Sequence, residues 1–208
     1  MIHSAVVKLF SDERPMSAPH SSSVAEPAWI SLDRLRGSLL PAGVAPWLKD
    51  EGSLTRAMIQ ACNGCGGRFS VQVQQQGWGG AAPSERRILG MSHGLTGLLR
   101  EVELLCDGQP WVFARTLIPA TSLKGGARRL AHLGNKPLGA VLFADPNTVR
   151  LAVEVARITP RHGLFHAACS HMPEQPDEVW GRRTLFAFAG QKLLVNEIFL
   201  PTIAERSR

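Results

Sequence analysis

Tyrosine is absent from the 208 residues, and aromatic residues make up only 6% of them. A stacking platform for nucleic-acid bases is therefore poorly supplied, because the 5 Trp and 8 Phe are scattered through apolar segments. Long apolar runs are missing too. None approaches the roughly 18 residues of a membrane span, and the N-terminus "MIHSAVVKLFSDERPM" lacks the apolar core of a secretory signal. Cytoplasm is the expected location, without stable membrane insertion. Extended blocks of one charge are also lacking. Basic residues cluster only as pairs, Arg86-Arg87, Arg128-Arg129 and Arg182-Arg183. Yet the formal net charge is +6, a surplus that attracts anions. The expected partner is a small anionic molecule, not nucleic acid.

Cysteine is scarce, with four residues: Cys62, Cys65, Cys106 and Cys169. The "CNGC" pair suggests a metal, but a structural zinc site usually takes two such pairs. Free thiols are the expectation. A Cys-rich site near Cys169, flanked by His166 and His171, is the alternative. A thioredoxin-like redox site would sit at a strand-to-helix junction, whereas "CNGCGG" ends a helix. With 44% hydrophobic and 19% charged residues the chain reads as one globular domain.

Residues 1–28 are Ser/Pro/Ala-rich and read as a flexible tail, leaving 29–208 as the domain. A short helix over 45–49 is followed by a second one capped by Ser53. There Leu54, Ala57, Met58 and Ala61 share a face, and glycines 64, 66 and 67 end it. The pair makes either a packed corner or a movable cover. Residues 68–77 alternate as a half-wet strand, and 77–94 read as a Gly-rich loop. "LLREVELLCDGQPWVFARTLIP" is a hairpin turning at Asp107-Gly108. Residues 127–143 read as an interrupted helix. Asp145 and Pro146 then open another, with Val149, Ala152, Val153 and Ala156 as its stripe. The segment 159–179 has no usable period and reads as a loop. A last hairpin turns at Gly190-Gln191. This order predicts the α+β class, an antiparallel sheet with helices on one face.

Three charges interrupt apolar strand faces: Arg100, Arg115 and Glu197. Glu197 lies between Val195 and Phe199 on one face of "QKLLVNEIFLP". Buried charges must be paired or bound to a ligand. One reading is a structural ion pair, or arginines snorkelling to solvent. The other is a dry pocket whose guanidiniums hold carboxylates while Glu197 accepts a hydroxyl hydrogen bond. Two arginines against one acid suit a dianion.

"DEGSLTRAM", "REVELLCDGQPWVFARTLIP", "HLGNKPLGAVLF", "WGRR" and "LLVNEIFLP" resemble, in order, the motifs of bacterial chorismate lyase over residues 44–201. The resemblance implies a six-stranded antiparallel sheet with an enclosed site under helical flaps. It implies elimination of pyruvate from chorismate to give 4-hydroxybenzoate, the first committed step of ubiquinone synthesis, by a monomer without metal or cofactor. It assigns the ring carboxylate to Arg100, the 4-hydroxyl to Glu197 and backbone contacts to Leu54 and Leu138. Arg115 is assigned to the pyruvyl carboxylate. The chain departs from the pattern in its tail, in 77–97, and in 158–178, which reads as an insertion. The alternative is a non-catalytic, effector-sensing module of the same fold. That reading lacks the winged DNA-binding domain expected ahead of it.

Overall fold

The structure is a computed structural model that describes residues 25–35 and 40–205. Most of the expected tail, residues 1–24, lies outside them. In chain order the elements are β1 (Ile30–Ser31), α1 (Ala45–Lys49), α2 (Leu54–Gly64), β2 (Phe69–Gly80), α3 (Pro83–Leu89), β3 (Thr96–Cys106) and β4 (Gln109–Pro119). Then follow α4 (Leu138–Leu142), β5 (Val149–Ile158), α5 (Gly163–Cys169), β6 (Val179–Phe188), β7 (Gln191–Phe199) and α6 (Pro201–Glu205). Residues 125–132 form a 3-10 turn ahead of α4.

One seven-stranded sheet, ordered β1-β5-β6-β7-β4-β3-β2, organises the chain, and each neighbouring pair is antiparallel. The α+β class follows the alternation read in the two hairpins. Asp107 and Gly108 adopt the left-handed conformation at the first turn, with φ of 48° and 76°. The second hairpin turns one residue earlier than expected. Ala189 takes φ 49° ahead of Gly190 at 72°.

Helices cover both faces. On the first, Leu48 of α1 and Leu54 and Met58 of α2 pack on Val102, Leu104, Val112 and Phe199, while Leu142 of α4 packs with Phe186 and Val195. On the second, Leu89 of α3 meets Leu99, Leu117 and Leu194, and Phe165 and Cys169 of α5 meet Phe113 and Ile198. Each such side chain, fully buried, contributes roughly 1.5–3 kcal/mol. Helices on one face alone would leave this second apolar surface wet.

Four local expectations differ from the structure. Residues 149–158 form a strand, not a helix. Val149, Val153, Val155 and Ile158 are β-branched, and β6 needs an antiparallel neighbour, so pairing overrides the helical stripe. Asp145 accepts a hydrogen bond from the Asn147 amide at 3.0 Å, a local turn that caps no helix. The supposed loop 77–94 holds the end of β2 and α3, with Pro83 in its first turn and Gly90 at φ 70° ending it. There the Glu85 carboxylate accepts from the Ala82 amide at 2.9 Å. The segment 159–179 likewise holds α5.

The fourth concerns the thiols. Cys62, in the last turns of α2, and Cys106, closing β3, form a disulfide with their Cα atoms 5.7 Å apart. A Cβ on Gly67 would come within 2.6 Å of Cys106 Sγ, so only glycine fits beside the bridge. Cys65 stays a free exposed thiol and Cys169 a free buried one. Burial pushes the Cys169 thiol up to about 11. The separation of 44 residues hid the pairing from local pattern reading.

Candidate active site

Strand register decides which charges meet. Across the first face, Val102 of β3, Ala114 of β4, Glu197 of β7 and Arg182 of β6 form one row, and Arg100, Thr116, Val195 and Thr184 form the next on that face. A cavity lies over these rows. Its floor includes Arg100, Val102, Ala114, Thr116, Val195 and Glu197, with Phe186 at one side. Its roof is Leu54 and Thr55 at the start of α2, facing Leu138, Gly139 and Leu142 of α4. The two roof helices touch closely. A Cβ at Gly139 would lie 2.6 Å from Thr55 Oγ1, so glycine sets their approach.

Ser53 holds the start of α2 as expected, its hydroxyl accepting from the Arg56 amide at 3.4 Å. That places Leu54 over the sheet. Pro137, Leu138 and Gly139 bring the opposite roof helix in.

Arg100 is 3% exposed. Its guanidinium donates to Gln76 Oε1 at 3.1 Å and to the Lys136 carbonyl at 3.3 Å, both neutral. It has no carboxylate partner among the described residues, and desolvation by burial pulls its pKa below the ordinary arginine value. Glu197, by contrast, is paired. Arg182 Nε donates to its carboxylate at 2.7 Å, while Arg182 Nη1 donates to the carbonyls of Trp47 and Asp50 at 3.0 and 2.6 Å. The site therefore has an anion-seeking end at Arg100 and, at Glu197, an acceptor held in place by a second arginine. Apolar walls between them leave room for a ring.

Leu54, Arg100, Leu138 and Glu197 thus line one cavity. Arg115 does not join them. Its register partners are Glu101 and Asn196, on the second face. There its Nε lies 3.2 Å from Glu85 and its Nη1 2.5 Å from Glu101. Burial would lower its pKa, but the two carboxylates outweigh burial and hold it above the ordinary value. The expectation that Arg100 and Arg115 line one pocket fails on pairing: Arg100 stands opposite Thr116, and one residue along a strand reverses the side chain. Arg182 reads in the sequence as half of a basic pair, although its signal is of the same kind as that of Arg100, a charge between Trp180 and Thr184-Phe186 on one strand face.

The Cys/His alternative is not assembled either. Cys62 is spent in the disulfide, and His171 lies 2.7 Å from Glu103. Among the described residues no three His, Cys, Asp or Glu side chains are grouped to hold a metal ion.

Comparison with known proteins places this geometry. The profile of the family described as "Chorismate lyase" matches residues 25–208. The chain belongs to the chorismate lyase family. Among its relatives, the "Probable chorismate pyruvate-lyase" of Aromatoleum aromaticum is 41% identical over 168 residues, covering 80% of this chain and 89% of that protein. The protein of the same description from Methylococcus capsulatus is 43% identical over 157 residues, covering 76% and 94%. Among solved structures, a GntR-family transcriptional regulator from Bacillus cereus aligns with a TM-score of 0.47 and 13% identity, over 64% of this chain and 92% of that one. The lyase family match begins at Ala25 and takes in every residue that lines the cavity.

Proposed function

We infer that this chain is a chorismate pyruvate-lyase, a carbon–oxygen lyase that releases pyruvate from chorismate and leaves 4-hydroxybenzoate for ubiquinone synthesis. The observation that carries the reading is the family match joined to one cavity with a bare arginine and a paired glutamate on its floor. We further place its action in the cytoplasm, with residues 29–208 as the working domain.

In this reading Arg100 grips the ring carboxylate and Glu197 accepts the 4-hydroxyl hydrogen bond. Leu54 and Leu138 close the cavity from above. Losing pyruvate aromatises the ring, so cleavage of the ether C–O bond needs no protein nucleophile. The protein's share is to hold one reactive pose and keep water out. Two routes start from that pose. The C4 hydrogen passes internally to the enolpyruvyl methylene, or Glu197 handles a proton at the hydroxyl end.

The primary test mixes purified protein with chorismate and follows 4-hydroxybenzoate and pyruvate in equal amounts. Absence of turnover by folded protein would sink the function. Glu197→Gln then separates the routes. Internal transfer predicts a raised KM with kcat within about tenfold of the parent, whereas proton handling predicts a kcat loss of about 10²–10⁴.

A further inference from the structure

Chorismate carries two carboxylates, and the cavity floor supplies one bare guanidinium, Arg100. The second carboxylate hangs on the enolpyruvyl ether, on the ring carbon beside the one bearing the hydroxyl. If Glu197 takes the hydroxyl, the cation for the second carboxylate must stand near Glu197. Arg115 is on the wrong face of the sheet. Two other arginines are not.

Arg182 is 2% exposed and donates through Nε to Glu197 at 2.7 Å. Arg150 stands opposite Phe186 in the β5–β6 register. Its guanidinium carbon lies 5.0 Å from the Phe143 ring and 5.6 Å from the Phe186 ring, and both rings line the cavity. Arg150 feels the charges of both Arg182 and Glu197, and burial with the Arg182 charge pulls its pKa below the ordinary value.

Glu197 accepts the hydrogen bond from Arg182, and Arg150 feels the charges of Glu197, Asp50 and Glu51 without an ion pair to any of them among the described residues. The remaining hydrogen bonds of the two arginines go to neutral carbonyls of the segment joining α1 to α2. Arg182 donates to Trp47 and Asp50, and Arg150 donates to Glu51 and, at 2.6 Å, to Gly52. Arg150 Nε is buried and has no hydrogen-bond partner among the described residues. An orphaned buried donor on a cation without a hydrogen-bonded carboxylate among the described residues points to an anionic ligand.

We propose that Arg150 and Arg182 together form the clamp for the enolpyruvyl carboxylate, and that the same two side chains tie the α1–α2 segment over the bound substrate. The clamp rests on the lyase reading above and adds its substrate selectivity. It distinguishes substrate from product, because 4-hydroxybenzoate has no carboxylate at that position. Arg150 and Arg182 line a second pocket with Asp50 and Glu51, next to Glu197 on the cavity floor. Substrate engages these two arginines as well as Arg100, and of the three the product engages Arg100 alone.

The test uses that difference. Arg150→Gln is chosen because, unlike Arg182, it makes no direct hydrogen bond to Glu197. Its KM for chorismate is expected to rise at least about thirtyfold. Its Kd for 4-hydroxybenzoate, by titration calorimetry, should stay within about threefold of the parent. Arg150→Lys, which keeps the charge but not the forked donor set, should recover part of the chorismate KM. Unchanged chorismate KM would overturn the clamp. So would a parallel weakening of chorismate and 4-hydroxybenzoate, which would mean that Arg150 only fastens the roof. If the parent protein itself does not turn over chorismate, the lyase reading fails first. Equilibrium binding of chorismate to the parent and to Arg150→Gln then decides the clamp by the same comparison. Should Arg150→Gln melt well below the parent, the Arg150→Lys protein carries the comparison.

Discussion

Replacing Arg100 by methionine should make the ligand-free protein more stable and nearly inactive. Arg100 is 3% exposed, and its two neutral acceptors, Gln76 Oε1 and the Lys136 carbonyl, lie at 3.1 and 3.3 Å. No carboxylate among the described residues offsets the desolvation that depresses its pKa. A buried charge in this condition lowers native stability, and an apolar side chain of similar length removes that penalty. A gain of about 1–2 kcal/mol is expected, or roughly 2–8 °C in Tm for a chain of this size. The same substitution removes two charge-assisted hydrogen bonds to the ring carboxylate. At about 1.5–2.5 kcal/mol each, kcat/KM should fall by about a hundredfold to several-thousandfold. Thermal melts without ligand and initial rates of 4-hydroxybenzoate release read the two effects separately. The protective shift that 4-hydroxybenzoate gives the parent Tm should disappear in the variant. A variant with kcat/KM within threefold of the parent would refute the assignment. A fall in both Tm and activity would mean that Arg100 is a structural cation instead.

Arg115→Met should do the reverse. It leaves Glu85, buried on the second face, and Glu101 without their cation, lowering stability by about 2–3 kcal/mol after allowance for the partial exposure of the pair. The KM for chorismate should hold within twofold, and a tenfold rise at unchanged Tm would return Arg115 to the site. Reducing the Cys62–Cys106 bridge, which spans a separation of 44 residues, should lower stability by about 2–4 kcal/mol. Native unreduced protein should take one maleimide, at exposed Cys65, because Cys169 is buried with its thiol pushed up to about 11. Labelling of Cys62 or Cys106 without reductant would refute the pairing.

The charge contrasts on β3 and β7 were legible because strand periodicity is strict. A period of two places Arg100 with Val102 and Glu197 with Val195 whatever the rest of the chain does. The helix at 54–64 was legible through its Ser53 cap and the glycines after it. Less was legible at 149–158. There a helical stripe and a β-branched strand fit the same residues, and only the open edge of β6 chose between them. The α3 signals, Pro83, Glu85 and Gly90, were present but lay within a segment whose glycines read as a loop.

Sequence alone was enough for the antiparallel α+β class and for Arg100 and Glu197 as charges that need a partner. The ordered motifs also pointed to the family, because these rest on local period and on residue identity. Tertiary structure decided which charges share a cavity. Relative register between strands is set by turns, bulges and packing far from the residues concerned. One position of register separates Arg115, locked between Glu85 and Glu101, from Thr116 on the cavity floor. The same long-range pairing brings Arg182 to Glu197, Arg150 to the α1–α2 segment and Cys62 to Cys106. None of these contacts lies within reach of a local pattern.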